Sequence, residues 1–153
     1  MTRLSTSRSP GTASVRQFAI YAENKVGRLN DIISSLRGQG VHIMALTTLE
    51  TTDVTIVRMI PNYPDSARKI LEQESFSFIE CPIVAVELNT EEDLPMVTAA
   101  LLEAEINIHY LYPFLARPDG KSALAMRVEE VEVAIEALSH RRIRVLSLED
   151  IAR

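Results

Sequence analysis

A single cysteine, Cys81, in 153 residues leaves no partner for an internal disulfide and no Cys-x-x-Cys pair for a metal or redox site. It lies in an apolar stretch and reads as a packed thiol. Glycine and proline are sparse, at five and seven residues, which speaks for a globular chain and against low complexity. Cations are also in the minority: 16 Lys and Arg stand against 21 Asp and Glu, a net charge of -5. Affinity for nucleic acid rests on Lys and Arg neutralising phosphates, so DNA and RNA are discounted as partners. The one basic cluster, Arg141-Arg142 with Arg144, follows an acidic helix and reads as its solvated end. No run approaches the roughly 18 apolar residues of a membrane span. The first residues lack the apolar core of a secretory signal, so the expected location is cytoplasmic.

Catalytic patterns are missing as well. There is no Gly-rich phosphate loop, no Gly-x-Ser-x-Gly elbow and no His-Glu-x-x-His. His42, His109 and His140 are far apart in sequence and read as ordinary imidazoles, not as a metal site. The acidic runs Glu129-Glu130 and Glu91-Glu92-Asp93 read as solvent-facing caps. The expectation is no enzyme, no metal and no cofactor.

What is present is a composition able to bury a core, 46% apolar and 24% charged. Residues 1–14 are polar and read as a flexible tail. From Val15 to Ala22 β-branched and aromatic residues predict a strand, followed by a polar loop with a glycine. Leu29, Ile32, Ile33 and Leu36 then recur at the spacing that places four residues on one helix face, stopped by Gly38 and Gly40. Val41 to Leu49 and Asp53 to Ile60 alternate as the two strands of a hairpin. Pro64-Asp65 opens a helix with Ala67, Ile70 and Leu71 inward, and a strand begins at Phe76.

The same order then recurs. A strand at Ile83 to Leu88 leads to a helix at Leu94 to Ala104, then strands at Ile106 to Leu115 and Ser122 to Val128. A helix carrying Val131, Ala134, Ile135 and Leu138 follows, and a last strand spans Ile143 to Leu148. Sliding Phe18 onto Ile83 also places Asn24 on Asn89, Leu29 on Leu94, Leu36 on Leu101 and Ile43 on Ile108 without a gap. Further on Ala67 meets Ala134, so the second half carries an insertion near Arg117 to Gly120.

The expected fold class is therefore α+β: two tandem ferredoxin-like βαββαβ units, over 15–82 and 83–153, each a four-stranded antiparallel sheet with helices on one face. Ala19, Tyr21, Val57, Met59, Val84, Val86 and Leu88 make strand positions apolar on both sides. The second face needs a cover, either the other repeat or a second chain, and a homodimer is the preferred account.

The informative segment is Glu23-Asn24-Lys25-Val26-Gly27-Arg28-Leu29, where a strand passes through a glycine into a helix. The first amides of a helix have no intrahelical partner and sit at its positive end, so a carboxylate can dock there. Gly27 removes the Cβ that would stand in the way; the alternative is a tight turn that needs glycine for its φ angle.

This loop, followed by a helix and then by Val-His-Ile in the first copy and Ile-Asn-Ile in the second, resembles the ACT domain family, over about Val15 to Ile151. The resemblance, to tandem ACT proteins that stand alone, implies a free amino acid bound between ACT units. It implies ligand-binding roles for Asn24, Lys25, Val26, Gly27, Arg28 and Leu29, with Asn107, Tyr110 and Tyr112 contributed by the second repeat. Asn24 or a backbone carbonyl would take the ammonium group. Tyr110 and Tyr112 read equally as core aromatics.

In the second copy Glu92 stands where Gly27 would, in an acidic loop, and Asp93 with Pro95 reads as a structural helix start. One site per chain is expected, in the first repeat's loop and bordered by the second repeat. The expected function is a non-catalytic, allosteric amino-acid sensor. The alternative is a regulatory subunit of a biosynthetic enzyme, such as the small subunit of acetolactate synthase, partnered with that enzyme.

Overall fold

The computed structural model describes residues 14–152. The tail expected over residues 1–14 lies outside them except for Ser14. Strand β1 (Val15–Glu23) leads to helix α1 (Arg28–Gly38), strands β2 (Ile43–Glu50) and β3 (Val54–Pro61), helix α2 (Pro64–Gln73) and strand β4 (Ser77–Leu88). Helix α3 (Asp93–Glu103), strands β5 (Ile108–Pro113) and β6 (Ser122–Val128), helix α4 (Val131–His140), strand β7 (Val145–Leu146) and helix α5 (Leu148–Ile151) complete the chain. The insertion near Arg117 forms a single 3-10 turn at Pro118–Gly120.

The strands join one sheet in the order β2-β3-β1-β4-β6-β5, with β7 on β4, and all pairs are antiparallel. The order β2-β3-β1-β4 is that of a ferredoxin-like unit, and β5-β6-β4-β7 repeats it. Where the sequence predicts two strands around position 83, the structure has one: β4 runs through unbroken. Its residues up to Ile83 pair with β1, and from Val84 onward they pair with β6. One strand thus serves as the last of the first unit and the first of the second, fixing the two units to each other.

Each unit buries one sheet face under its helices. Phe18, Ile20, Val57 and Met59 pack with Ile32 and Leu36 of α1 and Ile70 and Leu71 of α2. Val84, Val86 and Met126 pack with Val97 and Leu101 of α3 and Leu138 of α4. Strand period two therefore puts Val57, Met59, Val84, Val86 and Leu88 beneath the helices and only Ala19 and Tyr21 on the opposite face.

That opposite face is covered in large part by the chain itself. A third core joins Val15, Ala45, Ile60 and Ile83 to Tyr112, Phe114, Ala125, Leu146 and Ile151. The edges meet where the Leu115 N–H donates to the Met44 carbonyl at 2.8 Å and Ala45 bridges Phe114. The sequence alone offers the other repeat or, preferentially, a second chain as this cover; the other repeat covers the part around Val15, Ala45, Ile60 and Ile83, while Tyr21, Leu49 and Ile79 stay exposed. Each large side chain buried in the seam contributes on the order of 1.5–3 kcal/mol, enough to hold the repeats as one body.

The final strand is shorter than expected because a helix interrupts it. Ser147 accepts from the Asp150 N–H at 3.3 Å, and the Asp150 carboxylate accepts from the Ser147 N–H at 2.8 Å, a complete capping box. Helix α5 then seats Ile151 in the seam. Ser147→Ala is expected to cost about 1 kcal/mol, read as a lower urea midpoint.

A charged clamp ties α2 to the sheet. The Glu80 carboxylate accepts twice from Arg68, at 2.7 Å each, and from Arg16 Nε at 3.0 Å. These bonds, chiefly Arg68's, hold the Glu80 carboxyl below the ordinary glutamate value of 4.5. A lowered folded value means stability present above pH 4.5 and lost as pH falls through the folded value. Glu80→Gln is expected to cost roughly 1 to 2 kcal/mol at pH 7, with the difference from the parent protein shrinking as pH falls through the lowered Glu80 value in urea titrations.

Candidate functional site

The β1–α1 loop forms where β1 runs out of cross-strand partners and α1 has not begun. Gly27 adopts φ 92°, ψ -14°, the left-handed region that side chains disfavour, and no atom lies within 4 Å of where its Cβ would stand. Both readings of this glycine hold together: the turn requires it, and the space above it is open. No side chain caps α1. The first helical bond runs from the Asp31 N–H to the Gly27 carbonyl at 2.9 Å, which leaves the amides of Leu29 and Asn30 without intrahelical acceptors. The nearest carboxylate of the first turn, Asp31, is engaged by Arg28 Nη1 at 3.2 Å.

The remaining loop residues are held differently. Asn24 is tied to the β2–β3 turn: its Nδ2 donates to Glu50 Oε2 at 2.9 Å, its Oδ1 accepts from Thr55 Oγ1 at 3.3 Å, and its N–H donates to the Asp53 carbonyl at 3.4 Å. Its carboxamide thus anchors the loop. Lys25 pairs with Glu23 at 3.3 Å, both largely exposed. Val26 is fully exposed and Leu29 partly so. The Arg28 guanidinium lies over the Phe76 ring at 4.9 Å, with its buried Nε making no hydrogen bond but standing 4.0 Å from Glu23 Oε1.

In the second repeat the corresponding tip is closed. Asp93, the first residue of α3, turns its carboxylate back to accept from the Asn89 N–H at 2.7 Å and the Thr90 N–H at 3.3 Å. Glu92, in the position of Gly27, is right-handed helical at φ -71°. It is the residue before the helix, and Asp93 acts from within the first turn where a cap was expected. The counterparts of the open Leu29 and Asn30 amides are closed as well: the Leu94 N–H donates to the Glu91 carbonyl at 3.1 Å, and Pro95 has no N–H.

The second-repeat residues do not meet the loop within one chain. Tyr112 is buried and its hydroxyl donates to Gln17 Oε1 at 2.6 Å, while Gln17 Nε2 donates to the Tyr110 hydroxyl at 2.7 Å and approaches Cys81 Sγ at 3.7 Å. Arg58 stacks on the Tyr110 ring at 4.0 Å. Burial pushes the Tyr112 hydroxyl pKa far up, so it stays a donor. Gln17 precedes Asn24 by most of β1, so at about 3.3 Å per residue these tyrosines sit roughly 20 Å from the loop. Asn107 contacts His109 at 3.5 Å and receives the Glu129 carboxylate on its own N–H at 3.5 Å, all within the second repeat.

Gln17 is the residue that sequence reasoning missed. Its signal was a polar side chain at an inward strand position between Val15 and Ala19. Among the described residues, no three His, Cys, Asp or Glu side chains group to hold a metal ion, and no helix is long and apolar enough to cross a membrane.

The comparisons agree with this architecture. Residues 13–153 match the family model described as an ACT domain pair. The crystal structure of protein BT0572 from Bacteroides thetaiotaomicron is 26% identical, with a TM-score of 0.83 over 92% of this chain and 96% of that one. The regulatory subunit of aspartate kinase from Thermus thermophilus, in its ligand-free form, is 14% identical, with a TM-score of 0.57 over 84% of this chain and 92% of that one, a likeness of fold. No curated protein matches the chain.

Proposed function

Since the chain belongs to the ACT domain pair family, we propose that it is a non-catalytic cytoplasmic regulator that binds one free amino acid at the β1–α1 loop of its first repeat. The observation that carries this reading is the contrast between the two helix tips: α1 presents open Leu29 and Asn30 amides beside a left-handed glycine, whereas in α3 the Leu94 amide is held by the Glu91 carbonyl and Pro95 has none. The ligand's carboxylate meets the Leu29 and Asn30 amides, favoured by the positive end of α1. Because Asn24 is engaged with the β2–β3 turn, a backbone carbonyl of the loop takes the ammonium group.

The site is open to solvent in one chain, so a second wall is needed for a ligand to be held. A homodimer supplies it. Tyr21, Leu49 and Ile79 are exposed apolar side chains of the first repeat's sheet, which supports such a contact. Ligand binding then shifts the equilibrium between two packings of the dimer, the form in which a module without catalytic groups can act on a partner.

A regulatory subunit of an amino-acid biosynthetic enzyme is the second reading, favoured by the fold shared with the aspartate kinase regulatory subunit. Co-purification with a large catalytic chain separates it from a stand-alone sensor. The ligand is found by thermal shift across the twenty amino acids, where a ligand at a hundred times its Kd stabilises by about 2.7 kcal/mol. No shift from any of the twenty would defeat the proposal.

A further inference from the structure

The geometry points to a second small-molecule site at the opposite end of the first repeat's sheet, one that takes a carboxylate with an apolar body. It does not rest on the reading of the β1–α1 loop. Two adjoining cavities, of about 590 Å³ and about 470 Å³, share Asn62, Tyr63 and Ala152 where β3 passes into α2 and the second repeat closes over the seam. Asn62 is 6% exposed. Its backbone N–H donates to the His42 carbonyl at 3.0 Å and its Oδ1 accepts from the His42 N–H at 2.9 Å, which fixes the carboxamide orientation. Its Nδ2 donors then have no partner among the described residues, although both cavities are lined by this residue. A nearly buried amide left without an acceptor is a polar group awaiting one.

The start of α2 adds donors beside it. No side chain caps this helix, and its first bond runs from the Ala67 N–H to the Tyr63 carbonyl at 3.0 Å. Pro64 has no N–H, so the amides of Asp65 and Ser66 are the open ones, and both residues line the smaller cavity. The one carboxylate at the helix start, Asp65, is engaged by Arg68 at 2.9 Å, and the rim carries Arg16 and Arg68. Both guanidinium groups are already paired with Glu80, and Arg68 also with Asp65, so the open amides and Asn62 Nδ2 are the donors that suit a carboxylate. Pro64, Leu148, Ala152 and the half-exposed Tyr63 ring supply apolar walls, so the fitting ligand is a monocarboxylate with a hydrocarbon body.

The probe is 4-methylpentanoate, added to the full-length protein and followed in ¹H–¹⁵N spectra, with the uncharged 4-methylpentanamide as control. The acid is expected to move the Asn62 side-chain amide and the Ser66 backbone signal, and the amide to bind at least about tenfold more weakly. Asn62→Asp keeps an oxygen for the His42 N–H and replaces the free donor by a negative charge; it is expected to weaken the acid by at least about tenfold while the rest of the spectrum stays in place. Asn62 and Ser66 signals that do not move at saturating acid, changes confined to residues 24–29, or equal affinity of Asn62→Asp would overturn the inference. Should the variant not fold, the footprint on the parent protein decides alone.

Discussion

Gly27→Asp is expected to weaken binding of the amino acid that gives the largest thermal shift by about a hundredfold or more, near 2.8 kcal/mol. Two effects combine. A side chain at φ 92° costs about 1 kcal/mol in backbone strain, and the new carboxylate competes for the same open amides at the α1 tip. Because nothing lies within 4 Å of the added Cβ, the fold survives and the loss appears in binding. Gly27→Asn separates the causes: it tolerates left-handed backbone and carries no charge, so it should retain most of the affinity that aspartate removes. Calorimetric titration of both variants reads the difference, and equal losses would assign the effect to the backbone.

The largest effect on stability is expected at Gln17. Gln17→Leu removes the only acceptor described for the buried Tyr112 hydroxyl and the donor to Tyr110, leaving polar groups unpaired in the seam between repeats. The cost is roughly 2 to 4 kcal/mol in urea unfolding, more than leucine's apolar burial returns. Adding Tyr112→Phe removes the orphaned hydroxyl and should recover part of the loss, so the double variant is more stable than the sum of the single ones implies. Additive losses would show that the three groups do not act as a network.

Much of this was legible in the residues. The helix faces followed from Ile32 and Leu36, and from Val97 and Leu101, because a buried stripe leaves a period that local reading detects. The duplication was legible because Asn24, Leu29 and Ile43 recur in register in the second half. The continuous β4 was not, since Ile83 to Leu88 reads as a strand that opens the second copy, and only the pairing with β1 up to Ile83 and with β6 from Val84 shows it to be one strand. The intramolecular cover of the second sheet face was missed for a different reason: alternation shows that a face is apolar, not what lies on it.

At the β1–α1 loop the strand end, the glycine and the helix start were legible in the sequence, while Asn24's engagement depends on a turn brought back by the hairpin, beyond any local pattern. The same holds for Tyr110 and Tyr112, whose spacing on β5 says nothing of Gln17 across the seam. Helix α5 is the opposite case. Its Ser147-Leu148-Glu149-Asp150 capping box stood in the sequence but was absorbed into an expected strand.

The most direct test of the account is a count. Titrating the bound amino acid into the full-length protein by calorimetry should give one site per chain at the strand-to-helix loops, because, of the corresponding α1 and α3 tips, only α1's has open amides. Two equivalent sites per chain would mean that the Glu91 carbonyl and Pro95 do not close the α3 tip, and the contrast on which the proposed function stands would be gone.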